Sequence, residues 1–352
     1  MRGRLTISLG ALKANYEKIA TTTQTEVAAV VKGNGYGMGM AEVLQALAAI
    51  GCQEFFVATL AEGIALRSLH AQALIYVLEG TNGAENQQFE THNLIPVLNS
   101  RQQALAWRGK QAALHIDTGM NRLGVPAEEV ADLIADVQGE ICLVLSHFAR
   151  ADEQNPDLVD AQIQAFTLAQ GPVKQRFPNV RTSMSNSAAA LAGGLGEDLV
   201  RAGIALYGGN PFSQAPNPTL PVAKLEGSVL QVRTIHAGES VGYGATYIAE
   251  SKRRIATVGL GYADGVPRRL SNRGHVAFNG TRAPIVGRIS MDSLMIDATD
   301  LPDLEEGAWV EILGAEISGE EIAAHADTLD YEVFTGLDAA RRLERVYTES
   351  LH

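Results

Sequence analysis

The feature that most constrains this chain is a repeated unit: a short apolar run, a polar or glycine break, then a helix-like stretch. The runs are VAAVV (27–31), FFVAT (55–59), LIYVL (74–78), LIPVL (94–98), AALHI (112–116), ICLVLS (141–146), RTSMS (181–185) and one near LVRAGIAL (199–206). Short continuous apolar runs suit parallel strands covered on both faces. Between them, MAEVLQALAAIG (40–51) ends on a glycine, as helices commonly do. AEEVADLIADVQG (127–139) sets Val130, Leu133, Ile134 and Val137 at helical spacing. This count of units predicts an α/β fold, a (β/α)8 TIM-like barrel over residues 1–221. A doubly wound open sheet is the competing architecture, because the seventh and eighth runs are weak as patterns.

After Pro221 the texture changes. VAKLEGSVLQVRTI, RRIATVGLGY, GHVAFNG, RAPIVG, DSLMID and AWVEIL alternate or run apolar over short spans between glycine-rich turns. That pattern predicts antiparallel strands and a mostly β second domain over 222–352. One helix is signalled by SGEEIAAHA, with Ser318 and Glu321 at capping-box spacing.

Composition removes several function classes. The 352 residues exceed one small domain, and 46% hydrophobic with 19% charged residues describes a foldable chain, not a disordered one. A net charge of -12 argues against nucleic acid, which needs a basic face. No basic amphipathic stretch or long apolar run suggests a membrane. Two cysteines, Cys52 and Cys142, are too few for a disulfide scaffold or a CxxC metal motif, so no metal is expected. The opening MRGRLTISLGALKANYEK is interrupted by Lys13 before any cleavage pattern, and a cytoplasmic location is expected.

Barrels do their chemistry at the carboxyl ends of their strands. Lys32 follows the first run; His115 and Asp117 close the fifth, with Arg122 in the loop DTGMNRLG. His147 follows the sixth run, Ser185, Asn186 and Ser187 the seventh, and Arg201 and Gly203 occupy the eighth. Each has a bland alternative: a snorkelling lysine, a core histidine, a loop ion pair, a helix cap. Their concentration at one end is harder to explain that way. Asn186-Ser187 opens a helix after run seven, and the Gly203-Ile204 backbone lies in run eight, where barrels often bind phosphate. Phosphate plus a strand-end lysine suggests a Schiff base with pyridoxal phosphate. A phosphosugar enzyme with a Schiff-base lysine and no cofactor is equally physical.

The residues in order, AVVKGNGYGMG, HIDTGMNRLG, SHFARADE, SNSAAAL, VRAGIALYG, VGYGATY, GYADG, PIVGRISMD and YEVFTGL, resemble the alanine racemase family over nearly the full length. The resemblance implies a pyridoxal 5'-phosphate enzyme that interconverts L- and D-alanine, for peptidoglycan or for alanine catabolism. It implies a homodimer with shared active sites acting on a small-molecule amino acid. Lys32 would hold the cofactor as a Schiff base, and Tyr36, Ser187, Gly203, Ile204 and Tyr331 would surround its phosphate. His147 would pack against the ring, Arg122 would reach the phenolic oxygen and Arg201 the ring nitrogen. Tyr243 would be the second base, lent by the partner subunit, and the Met291 backbone would bind the substrate carboxylate. His115, Asp152, Tyr262, Arg288 and Asp292 would stand around the entrance or behind these groups.

Racemisation moves a proton off one face of a carbon and onto the other, so two bases on opposite faces are the direct solution. An amine and a phenol both titrate near about 10 in water, so each must shift downward, and cations such as Arg122 push both that way. Arg201 cannot give up its proton, so in the place the resemblance implies it would leave the ring nitrogen unprotonated, which should weaken the electron sink and suppress side reactions.

The chain departs from the family pattern at three places. His115 stands where many members carry a lysine, often carbamylated, whose task is to orient the arginine corresponding to Arg122. Asp117 or another anion would then have to help. Met38 replaces a frequent histidine, and Ala202 a usual proline. The alternatives are a related barrel decarboxylase of basic amino acids and a non-catalytic pyridoxal-phosphate carrier. Arg201 opposes the first, and the second domain with Tyr243 and Met291 opposes the other.

Overall fold

The computed structural model describes residues 2–153, 156–339 and 342–351. The eight apolar runs form strands Glu26–Val30, Glu54–Val57, Leu74–Val77, Ile95–Leu98, Gln111–Asp117, Glu140–Leu145, Arg181–Ser183 and Leu199–Ala202. All pair in parallel in chain order, and Leu199–Ala202 returns to pair with Glu26–Val30. The last gap is bridged by Asp198 N–H to Thr182 O (3.1 Å) and Arg201 N–H to Ser185 O (3.1 Å). The result is a nearly closed parallel barrel, so the open-sheet alternative is set aside.

The weak seventh and eighth patterns have a plain cause. Thr182, Ser183 and Arg201 are buried inside those strands, and polar residues at core positions break the apolar run. The helical spacing at 127–139 is a 3-10 turn, Ala127–Glu129, followed by the helix Val130–Asp136, with Val130, Leu133, Ile134 and Val137 all buried. Met40–Ala49 is a helix, and Gly51 follows it at φ +96.

The second sheet is built mainly from the antiparallel strands after residue 222, around the long strand Ala223–Ile235. It also takes in Gly3–Ser8 from the other end of the chain, antiparallel to Ala223–Ile235 and parallel to Glu344–Thr348. His275–Phe278 and Thr281–Pro284 form a hairpin turning on Asn279 and Gly280, both at positive φ, as a two-residue hairpin turn requires. The helix Gly319–Ala326 is capped by Ser318 Oγ accepting from Glu321 N–H, but the reciprocal half of the capping box is missing, because the Glu321 side chain pairs with Arg282. A second helix, Asp330–Gly336, has no counterpart in the sequence reading. Among the described residues no helix is long and apolar enough to cross a membrane.

Candidate active site

The first barrel strand ends in an unusual turn. Gly33, Asn34, Gly35 and Tyr36 have φ of 63, 54, 63 and 53, one turn of left-handed helix. Gly35 N–H donates to Val31 O and Gly37 N–H to Gly33 O, both at 2.8 Å. Glycine takes this conformation freely and asparagine tolerates it, which explains the letters GNG. Tyr36 adopts it at a cost of about 1–2 kcal/mol, and its surroundings hold it there. Its ring stacks on Tyr207 at 4.5 Å, and the Tyr207 hydroxyl donates to Val30 O at 2.9 Å. Asn34 Nδ2 donates to Asp338 Oδ1 at 2.8 Å, and Glu62 Oε1 accepts from Gly33 N–H at 2.7 Å. Met38 is fully buried, so an apolar side chain is suited to that place.

This turn delivers Lys32 and Tyr36 to a cavity of about 570 Å³ at the barrel mouth. His115, Arg122, His147, Ser187, Arg201, Gly203, Ile204 and Tyr331 also line it. A Cβ on Gly203 would stand 2.7 Å from Tyr36 Oη, so the phenol occupies the space a side chain would take. Ser187 Oγ accepts from Gly203 N–H (2.9 Å) and Ala205 N–H (3.3 Å). Ser187 begins the short helix Ser187–Leu191, capped by Asn186 through Ala189 N–H. Backbone amides, a hydroxyl and two phenols, Tyr36 and Tyr331, therefore converge on one side of the cavity. That donor set fits a phosphate.

The opposite side is cationic. Arg201 is 5% exposed and donates to Ser183 Oγ and Ser146 O, each at 2.6 Å, and to His147 Nδ1 at 3.2 Å. Guanidinium can only donate, so His147 accepts at Nδ1 and carries its proton on Nε2. Burial, then Arg201, Arg122 and Lys32, hold the His147 pKa down to about 3. Burial also lowers Arg201 to about 10, opposed by Glu197, which leaves it charged near neutrality. Burial first, then Arg122, lowers Lys32, opposed by Glu62.

His115 is held by a residue the sequence reading missed. Asn99 Nδ2 donates to Leu78 O and Val97 O, both at 2.8 Å, so Asn99 Oδ1 must accept from His115 Nδ1–H at 2.7 Å. Burial and Arg201 keep His115 neutral, at about 4. Asn99 follows the LIPVL run directly, and that strand-end position was the available signal. The expectation that Asp117 helps Arg122 is not met. The Asp117 carboxylate accepts from Gly119, Met120 and Asn121 N–H at 2.9–3.1 Å, capping its own loop, and no ion pair joins it to Arg122 among the described residues.

Other residues singled out from the sequence lie outside this cavity. Tyr243, in the 3-10 turn Tyr243–Ala245, is 73% exposed, and Met291 is 53% exposed. Tyr262 and Arg288 are exposed too. Asp292 pairs with Arg342 at 2.7 Å, and Arg342 also reaches Asp264 at 2.9 Å. The Asp152 carbonyl accepts from Ser213 N–H at 3.1 Å.

Fold and cavity together define a class: a parallel barrel working at the carboxyl ends of its strands, with a depressed lysine at the mouth, joined to a β domain. The model of the alanine racemase N-terminal domain matches residues 7–211, and that of the C-terminal domain matches 222–347. The alanine racemase of Acidiphilium cryptum is 43% identical over 346 residues, covering 95% of this chain and 96% of its own. The catabolic alanine racemase of Agrobacterium fabrum is 43% identical, covering 99% and 92%. The crystal structure of alanine racemase from Bartonella henselae with covalently bound pyridoxal phosphate superposes with a TM-score of 0.91 at 35% identity, covering 99% of each chain. The chain belongs to the alanine racemase family.

Proposed function

We propose that this enzyme interconverts L-alanine and D-alanine with pyridoxal 5'-phosphate, and that it works as a homodimer. The observation that carries the reading is the cavity: a lysine with a lowered pKa faces a donor-rich cup sized by Gly203 against Tyr36. Lys32 would hold the cofactor covalently, Tyr36, Ser187, Gly203, Ile204 and Tyr331 its phosphate, and Arg201 and His147 its ring. When bound, the cofactor supplies an electron sink that acidifies the substrate's α-hydrogen.

The chain's residues then divide the proton work. Lys32, disfavoured as ammonium by burial and Arg122, takes or returns the proton on one face. Tyr243 serves the other face. Its exposure and its absence from the cavity of its own chain support its delivery by a second copy, as for the Met291 backbone at the substrate carboxylate. Arg201, held by three neutral partners, keeps its proton and donates it as a fixed hydrogen bond. Residues 1–221 would form the cofactor barrel and 222–352 the domain that completes the partner's site. Two free thiols, Cys52 and Cys142, fit a reducing cytoplasm.

Complementation tests the dimer and the two bases together. Lys32→Ala and Tyr243→Phe each abolish conversion of L-alanine to D-alanine. Mixed and allowed to exchange subunits, they regain about a quarter of full activity, because half the dimers are mixed and each has one intact site. Full activity in Tyr243→Phe alone, or none on mixing, would sink the shared-site reading.

A further inference from the structure

The second domain holds a cluster of ligating side chains that the racemase chemistry does not use. His275 opens the hairpin strand His275–Phe278, and Glu321 and His325 lie one turn apart on the helix Gly319–Ala326. Residues four apart share a helix face. One ligating atom from each of the three lies within 4.8 Å of the others. The two imidazole rings are 5.6 Å apart at 55°, and His325 Nε2 is 3.9 Å from Glu321 Oε1. All three side chains are half-buried. His275 Nδ1 is buried with no hydrogen-bond partner among the described residues. A buried polar nitrogen left unsatisfied costs about 1–3 kcal/mol and calls for an explanation.

We infer that His275, Glu321 and His325 bind a divalent transition-metal ion, with zinc the best fit. Two imidazole nitrogens and a carboxylate match a three-ligand zinc set with a fourth position for water. The nitrogen donors disfavour magnesium and calcium, which take oxygen. Tetrahedral zinc at about 2.1 Å from each ligand sets the ligand atoms about 3.4 Å apart. The ligating atoms lie at most 4.8 Å apart, so side-chain rotation has to close no more than about 1.4 Å.

Glu321 has another partner that the ion must displace. Arg282, on the second hairpin strand, lies 3.0 Å from Glu321 Oε2, and its Nη2 also donates to Glu316 O at 2.6 Å. That pair is half-exposed, so it competes weakly. Binding exchanges a guanidinium for the metal at one carboxylate and fastens the helix to the hairpin. No bond in the racemisation machinery is involved, so the ion stabilises the folded domain by mass action.

The test uses the purified holoenzyme after dialysis against a chelator. Titration with zinc chloride by calorimetry should show one saturable site per chain, and zinc should raise Tm reversibly on adding EDTA. The His275→Asn/His325→Asn double variant, whose substitutions fall on half-buried positions, should lose both responses. Arg282→Gln should tighten zinc binding about threefold, by removing a competing pair of about 0.6 kcal/mol. Absence of a saturable site overturns the inference. So does a zinc response that survives undiminished in the double variant. Racemase activity enters neither readout, so the outcome is independent of the functional reading.

Discussion

The two ends of the barrel handle charge in opposite ways. At the amino end, buried Glu54 accepts from Arg181 Nη1 at 2.6 Å and from the Tyr76 hydroxyl at 3.0 Å, and Arg181 also pairs with Glu26. Each charge has a direct opposite. At the carboxyl end, Arg201 is held by a hydroxyl, a carbonyl and a neutral imidazole, two histidines are kept uncharged, and Lys32 is pushed toward the free amine. The backbone differs as well, since the left-handed turn at 33–36 sits only at that end. One end satisfies its groups and is built for stability; the other leaves charge and strain in place, which is where function concentrates.

The strongest way to break this contrast is to cut one group at each end. Lys32→Ala should lower racemisation by at least about a thousandfold, since it removes both the covalent anchor and a proton carrier. Its thermal stability without cofactor should be unchanged or higher, because a desolvated amine is gone. Glu54→Ala should do the reverse. It leaves the Tyr76 hydroxyl unpaired and Arg181 with Glu26 alone, and stability should fall by about 2 kcal/mol, discounted because Arg181 is part-exposed and keeps one partner. Its kcat should stay within about twofold of the parent. Thermal melts and steady-state kinetics on both variants decide the matter; an inactive but fully stable Glu54→Ala would erase the distinction between the ends.

Gly203→Ala probes the cup at finer scale. The new Cβ would stand 2.7 Å from Tyr36 Oη, and Tyr36 cannot retreat while stacked on Tyr207. Pyridoxal-phosphate affinity, read by absorbance titration, should drop about tenfold, roughly 1.4 kcal/mol. Gly171→Ala is the control: it lies in the helix Pro156–Arg176 and its Cβ meets nothing within 4 Å. It should leave the affinity unchanged, with no gain in stability, because Gly171 precedes Pro172 and a proline ring disfavours a side chain on the helical residue before it.

Much of this was legible from the residues because the barrel repeats one unit and its chemistry gathers at one end. Lys32, Tyr36, Arg122, His147, Ser187, Arg201 and Gly203 were singled out from strand-end position or motif, and all line one cavity. What escaped detection was long-range. Gly3–Ser8 carries no sign that it joins strands more than two hundred residues away, since pairing register across a chain is not written locally. Asn99 is in sequence one more polar residue after a strand, and only the fold brings its amide to the two carbonyls, Leu78 O and Val97 O, that fix it. The helix Asp330–Gly336 buries only Val333 and Phe334 among its apolar residues and leaves Tyr331 exposed, too few positions for a periodicity to show.

The carboxyl end can also be tested through its protons. His147 and His115 are held near 3 and 4, while an unfolded histidine titrates near about 6.5. Between pH 6.5 and 4 the unfolded chain therefore binds protons that the native chain refuses. Stability falls as pH is lowered through that window, by up to about 1.4 kcal/mol per pH unit for each histidine. Asp330 works against this. Burial raises it to about 6, so the native chain holds a proton between pH 6 and about 3.9 that the unfolded chain has released. Chemical denaturation across pH 7 to 4 should thus show a net loss equivalent to about one histidine. His147→Asn should flatten the profile and Asp330→Asn should steepen it, with the same substitutions read at pH 8 as the baseline. A profile indifferent to His147→Asn would mean that this imidazole takes up its proton as readily in the native state as in the unfolded chain, and below about pH 6.5 the cationic end of the barrel would then lose the neutral partner on which Arg201 rests.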